Sequence, residues 1–427
     1  MKRLRYGTPE FEREMRALCR RPAYPPEAER AAAEIIAAIR EEGDRAVARY
    51  AAKFDGVELS PERFRVTDAE IREACRELAN ADKRAIRTAL RQIRDFAKRT
   101  LPRNWFTSVR PGVRVGEKFT PLDRVGVYIP GGSAPLVSTV IHTAGIARAA
   151  GVKSIAAATP AKALHPATLY AMKEAGVTEI YRLGGVYGVA ALALGTESIP
   201  RVEKIVGPGN AYVTAAKKLL YGEVGIDLVA GPSEILVLAD AAADPELVAA
   251  DLLSQAEHGS GLEQSVLVAT DGALIDRVLA AFDRQKRTLP KLAAVEKVER
   301  DGLFLIEAPT LAVAEKIAGD YAPEHLELHV AEPERSAWRI RAAGAIFLGP
   351  WTPESAGDFC AGPSHVLPTA GSALRFNGIE TATFMRRTSL VKYSRTAIDR
   401  EAGIIERFGN MESLAAHARA GTLRRCK

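Results

Sequence analysis

The chain has 427 residues, 47% hydrophobic and 26% charged, with a net charge of +6. That is enough for two large domains and ordinary for a globular enzyme. The basic residues are dispersed, the densest groups being Lys2, Arg3 and Arg5, Arg386 and Arg387, and Arg424 and Arg425; this argues against a nucleic-acid partner, and no apolar run is long enough for a membrane span.

Residues 28–40 and 68–98 carry apolar side chains at helical spacing, with Ile71, Cys75, Leu78, Ile86, Leu90 and Ile93 on one side of the second run. From Val125 strands and helices alternate: strands at 125–129, 154–158, 179–183, 204–206 and 226–229, helices at 138–150, 166–175, 186–194 and 212–220. The rhythm restarts with strands at 235–238, 265–269, 303–306, 326–330 and 345–348, separated by helices at 245–257, 274–287, 311–317 and 333–343. Alternation of this kind means crossover connections and parallel sheets. On the strand 326–330, Leu326, Leu328 and Val330 are expected inward, Glu327 and His329 outward. After Leu348 the chain reads as loop, and a helical tail begins near Thr383.

The fold class is therefore α/β: two doubly wound, parallel, incomplete Rossmann-like sheets, one inserted in the other, with N-terminal helices and a C-terminal helical tail. The expected division is an arm at 1–22, a first α/β domain of 23–124 and 235–370, a nucleotide-binding domain at 125–234, and a tail at 380–427 that reaches a partner subunit. Cys19, Cys75, Cys360 and Cys426 lie far apart without CxxC spacing, and the charged start lacks an apolar signal core. Both point to a cytoplasmic protein with reduced thiols.

Four constellations carry possible chemistry. Gln255 and His258 stand three residues apart at a helix end closed by Gly259, so an amide oxygen and an imidazole leave one face and can hold a metal together. Glu324 and His325 precede an alternating strand and suit two linked proton transfers. Asp358 lies in a glycine-flanked stretch that leads to His365, a carboxylate able to approach a metal and an imidazole able to touch substrate or tune a ligand. Gly207-Pro208-Gly209-Asn210 and Pro130-Gly131-Gly132-Ser133, the latter after Tyr128, follow strands. They suit a nucleotide crevice, and serve equally as plain tight turns.

Taken together these segments resemble histidinol dehydrogenase. The matching stretches are V-G-V-Y-I-P-G-G-S-A-P-L at 125–136, 207–210, A-G-P-S-E at 230–234, L-L-S-Q-A-E-H-G at 252–259 and A-P-E-H-L-E at 322–327, then 355–358 with 365–368, and Glu412 with His417. They span most of the chain in order. The resemblance implies zinc- and NAD-dependent oxidation of L-histidinol to L-histidine through an aldehyde, in a homodimer. By matching motif, Gln255, His258, Asp358 and His417 would bind zinc. Glu324 and His325 would be the acid–base pair, with His325 taking the alcohol proton and Glu324 activating water. Ser233, His365 and Glu412 would contact substrate together with His325 and the zinc ligands. Glu412 and His417 would complete the neighbouring subunit's site, and Tyr128 and Asn210 would lie on NAD. One position departs: where the family has a glutamine on the cofactor, this chain has Tyr187, which can stack on a cofactor or hydrogen-bond it but cannot copy an amide. A relative with the same machinery acting on another small alcohol is the alternative. Cys360, two residues from Asp358, offers a thiolate route to the second oxidation.

Overall fold

The computed structural model describes residues 1–21, 23–131 and 135–425. Pro22 of the expected arm, Gly132 and Ser133 of the first glycine-rich turn, Ala134 beside them, and Cys426 lie outside the described residues.

The strand Glu234–Ala239, sequence EILVLA, is apolar at five of its six positions and wholly buried, as a strand covered on both faces must be. Its alternate side chains enter two cores. Leu236 and Leu238 pack with Val266, Leu326 and Leu328 on one face, while Ile235 and Val237 pack with Leu252, Leu267 and Val278 on the other. It sits inside a six-stranded sheet whose spatial order is Lys2–Arg5, Leu303–Glu307, Gln264–Ala269, Glu234–Ala239, His325–His329, Ala345–Leu348, every pair parallel. The expected N-terminal arm is thus an edge strand, seated by Leu4 and followed by the helix Pro9–Leu18, whose Phe11, Met15 and Leu18 join the same core.

A second parallel sheet runs Glu179–Tyr181, Ser154–Ala158, Arg124–Tyr128, Lys204–Val206, Gly225–Ile226. Its faces are covered by the helices between its strands and by those of the N-terminal segment. Ala28, Ala32, Ile35, Ile36 and Ile39 of the helix Pro26–Glu42 share a core with Val189, Leu192, Ala215 and Ala216. Ile86, Leu90, Ile93 and Ala97 of the helix Asn80–Arg99 share one with Val140, Ala144 and Met172. These helices therefore pack on the sheet of 124–226: their apolar stripes meet the apolar helices Val137–Ala149, Pro166–Ala175 and Gly185–Leu194. The run at 68–98 is two helices, Asp68–Glu77 and Asn80–Arg99, broken where Leu78 turns extended.

Two features differ from expectation. Trp105–Arg110, Val113–Pro121 and Met385–Tyr393 form a three-stranded antiparallel sheet, from which the helices Arg395–Met411 and Ala415–Thr422 continue. Trp105–Arg110 and Met385–Tyr393 are exposed along most of their length, so no apolar alternation announced them. Glu327 and His329, expected outward, are buried, because the face they occupy is covered by the helix Pro245–Ala256, whose Asp251 meets His329. No helix among the described residues is long and apolar enough to cross a membrane.

Candidate active site

The site gathers at the amino edge of the six-stranded sheet. His325 is the first residue of its strand, in register with Ile235 on one side and Ala345 on the other. Beside it Glu324 is buried, and its Oε2 accepts from the Glu234 N–H at 3.0 Å. His325 Nδ1 lies 3.2 Å from the Glu234 carbonyl. That partner can only accept, so Nδ1 carries the proton and Nε2 keeps a free lone pair. Burial, only partly offset by the Asp358 charge, lowers the His325 pKa to about 4, so the ring is neutral and can receive a proton. Burial likewise raises Glu324 well above the carboxylate range, aided by the charges of Glu234, Asp358 and Glu354 against the Glu234 N–H. A carboxylate so placed is a stronger base than one in water.

The helix Pro245–Ala256 starts on Asp244, whose side chain caps Glu246, with Pro245 at its first position. It ends at the same edge and delivers Gln255 and His258. Gln255 is fully buried and its Nε2 is 3.4 Å from His258 Nδ1, while its Oε1 has no hydrogen-bond partner among the described residues. His258 Nδ1 lies 3.1 Å from the Gln255 carbonyl, which leaves Nε2 available. Across from them the short helix Glu354–Phe359 presents Glu354 and Asp358, one turn apart. Donor atoms of His258, Glu354 and Asp358 all lie within 4.8 Å of one another. Asp358 Oδ1 is 3.4 Å from His365 Nδ1 and 4.0 Å from His325 Nε2. Burial would raise its pKa, but the hydrogen bond and charge of His365 outweigh it and hold Asp358 below the usual range.

A buried amide oxygen without a partner among the described residues, on a side chain that contacts His258, together with an imidazole and two carboxylates that share one small volume, fits a divalent cation with nitrogen and oxygen donors. Ser233 borders the set. Its carbonyl accepts from Gln264 N, and the next residue, Glu234, holds Glu324.

Two members were not singled out from the sequence. Glu354 is buried, and its Oε1, which has no hydrogen-bond partner among the described residues, lies 3.9 Å from His325 Nδ1. Burial, with the neighbouring Asp358 charge, lifts its pKa to about 9. The spacing of Glu354 and Asp358 was a usable signal once 354–359 is seen as a helix. His142, on the buried helix Val137–Ala149, stacks on His365 with centroids 4.3 Å apart and accepts from the His365 N–H at 3.3 Å. It thereby joins the second sheet's helices to the site.

The remaining expected residues lie elsewhere. Tyr128 ends the central strand of the five-stranded sheet, and its hydroxyl accepts from Gly185 N at 2.9 Å. The neighbouring strand Lys204–Val206 runs into Gly207, with φ +117 and a would-be Cβ only 2.3 Å from the Tyr128 carbonyl, so only glycine fits. Asn210 then caps the helix Ala211–Leu220. These two strands start the connections to opposite sides of the sheet, so their carboxyl ends form a switch-point crevice, the usual place for a dinucleotide. The Tyr187 ring, at the start of the helix Gly185–Leu194, is buried and its hydroxyl donates to Asp55 at 2.5 Å. Glu412 and His417 are exposed on the tail and belong to neither metal-competent group among the described residues. Cys360 is exposed at the end of the Asp358 helix.

Two parallel sheets with a buried Glu–His pair beside a set of nitrogen and oxygen donors define the class, an α/β enzyme. A model of the family described as histidinol dehydrogenase matches residues 20–425. The chain is 44% identical over 388 residues to histidinol dehydrogenase 2 of Nostoc sp., covering 90% of this chain and 89% of that one. It is 42% identical over 428 residues to histidinol dehydrogenase of Neisseria meningitidis, covering 99% and 100%. The crystal structure of histidinol dehydrogenase from Elizabethkingia anophelis superposes with a TM-score of 0.94 at 34% identity, covering 99% of this chain and 98% of that one. The chain belongs to the histidinol dehydrogenase family, and is an oxidoreductase.

Proposed function

We propose that the protein oxidises L-histidinol to L-histidine through L-histidinal in two NAD-linked steps. One zinc ion per subunit would be held by Gln255, His258 and Asp358, with His417 of the partner subunit. The observation that carries this reading is the unpartnered, buried Gln255 Oε1 beside the His258–Glu354–Asp358 cluster and the Glu324–His325 pair.

Zinc, when bound, supplies a template for the amino and imidazole nitrogens of the substrate. Tyr128 and Asn210 would hold NAD, which would supply the hydride acceptor for both oxidations. His325 Nε2 takes the alcohol proton as the first hydride leaves. Glu324 then removes a proton from a water that adds to the aldehyde carbon, while protonated His325 returns its proton to the carbonyl oxygen, giving a gem-diol and a neutral His325. His325 serves again as base while the second hydride departs. Ser233, His365 and Glu412 of the partner subunit orient the substrate. Tyr187, its hydroxyl tied to Asp55, stands at the start of the helix whose Gly185 N–H donates to the Tyr128 hydroxyl.

The homodimer is supported by the tail, where Ile404, Phe408, Met411, Leu414 and Leu423 are exposed together. By packing, 1–21 belongs with 235–370 as the acid–base and zinc unit, and 23–99 with 125–234 as the nucleotide unit. A biosynthetic enzyme of this kind would work in the cytoplasm.

The test is to mix zinc-loaded protein with L-histidinol and NAD. Two NADH per substrate, with histidine formed, is the expected result. One NADH, or oxidation of other small alcohols in preference to histidinol, contradicts it.

A further inference from the structure

The strand His325–His329 carries two polar side chains that this chemistry does not use. His329 Nε2 lies 3.3 Å from Asp251 Oδ2 and 3.5 Å from Glu327 Oε2, and all three residues are buried. Burial opposes a charge on His329, but the two carboxylates outweigh it and push its pKa up to about 9. The ring therefore carries its proton toward them, and the three form an ion cluster in which His329 Nδ1 and Glu327 Oε2 have no hydrogen-bond partner among the described residues.

Each member reaches an element of the active site. Asp251 sits one helical turn before Gln255 on the helix Pro245–Ala256. Glu327 and His329 share the strand that begins with His325. The free oxygen of Glu327, Oε1, accepts from the Glu354 N–H at 2.5 Å, and Glu354 opens the short helix that carries Asp358. A further tie closes the loop: Ser254 Oγ, next to Gln255, donates to Glu354 Oε2 at 3.0 Å. Six residues of helix have little cooperativity of their own, so the Glu354–Phe359 helix depends on such anchors for its place.

We propose that Asp251, Glu327 and His329 are positioning residues, a buried ion cluster that fixes the helix of Gln255, the strand of His325 and the helix of Asp358 at the spacing the metal requires. The proposal rests on the zinc reading above. Partners behind a metal ligand commonly change affinity by about 10- to 100-fold when removed, and here the three supports converge on one cluster.

The experiment compares Glu327→Ala, which removes the acceptor for Glu354 N–H, with Glu327→Gln, which keeps it. Three quantities are read on the full-length protein: the zinc dissociation constant by chelator competition, the visible spectrum of the cobalt-loaded form, and the melting temperature of the metal-free form. Glu327→Ala is expected to weaken zinc binding about 10- to 100-fold and to shift the cobalt bands, while Glu327→Gln stays close to the parent in both. Should Glu327→Ala not fold, Asp251→Ala removes the His329 acceptor from the helix side and is expected to move affinity in the same direction. A lower melting temperature with unchanged zinc affinity and unchanged cobalt bands overturns the proposal, since the cluster would then be only structural. A second zinc equivalent in the parent that is lost in His329→Gln also overturns it, by making the cluster a metal site. Asp358→Ala is run alongside: if it binds zinc as tightly as the parent, the active-site reading falls, and this proposal with it.

Discussion

The two parallel sheets place their functional ends oppositely. In the five-stranded sheet the crevice opens at the carboxyl ends of Arg124–Tyr128 and Lys204–Val206, where the helix Ala211–Leu220 begins on Asn210. In the six-stranded sheet the polar cluster lies at the amino ends of the strands, where the helix Pro245–Ala256 terminates with Gln255. Helix dipoles make these edges electrostatically different. A helix start favours phosphate and a helix end favours a cation. One architecture, read from opposite edges, thus suits a dinucleotide in one unit and a metal with its bases in the other.

The first way to break the comparison is to remove what only the amino edge should need. Truncation before Glu412 is expected to abolish both zinc binding and activity, with His417→Ala as the milder version; zinc per chain by elemental analysis is the check. Full zinc occupancy in the truncated chain would end the shared-site idea. Next come the bases. His325→Asn should slow both oxidations by about 10²- to 10⁴-fold, and Glu324→Gln the second alone by a similar factor. Feeding histidinal separately from histidinol distinguishes the two, and an unchanged aldehyde step in Glu324→Gln removes its assignment.

At the carboxyl edge a smaller effect is expected. Asn210→Ala loses the side chain that accepts from Tyr212 N and Val213 N, at a cost of about 1 kcal/mol in stability. KM for NAD should rise while zinc affinity stays constant; the reverse pattern would merge the two edges.

The smallest effect is in pH. His329 is raised to about 9 in the folded chain from its ordinary 6.5. Its stabilising charge is fully present below pH 6.5 and lost as pH rises through 9, because the unfolded chain gives up that proton first. Glu354, also raised to about 9, acts in the same direction. Tyr128, raised to about 12 by burial, stays protonated throughout that range. Melting of the metal-free protein should therefore weaken between pH 6.5 and 9, and His329→Gln should flatten the slope. A profile that is already flat contradicts the ion cluster.

Much of the molecule was legible in the chain. Apolar runs such as 235–238 and 266–269 are strands because both faces are covered, and the alternation with helices implies parallel crossovers. Gln255, His258, Glu324, His325 and Asp358 were visible as unusual residue types at the ends of such elements. Glu354 was not, since six residues between prolines and glycines look like loop until the buried contacts that hold them are seen. The three-stranded ribbon was invisible for another reason: its outer strands, exposed along most of their length, carry no two-residue period of apolar and polar side chains.

By itself the sequence determined most of the parallel strands and their crossover helices, and it marked Gln255, His258, Glu324, His325 and Asp358 as candidates, because periodicity, caps and turns are local. Which core the N-terminal helices joined, whether Glu327 and His329 faced water or Asp251, and what the Tyr187 hydroxyl met were decided only when distant segments packed. Burial is a property of neighbours, and for a polar side chain it separates a solvated surface group from a member of a buried network.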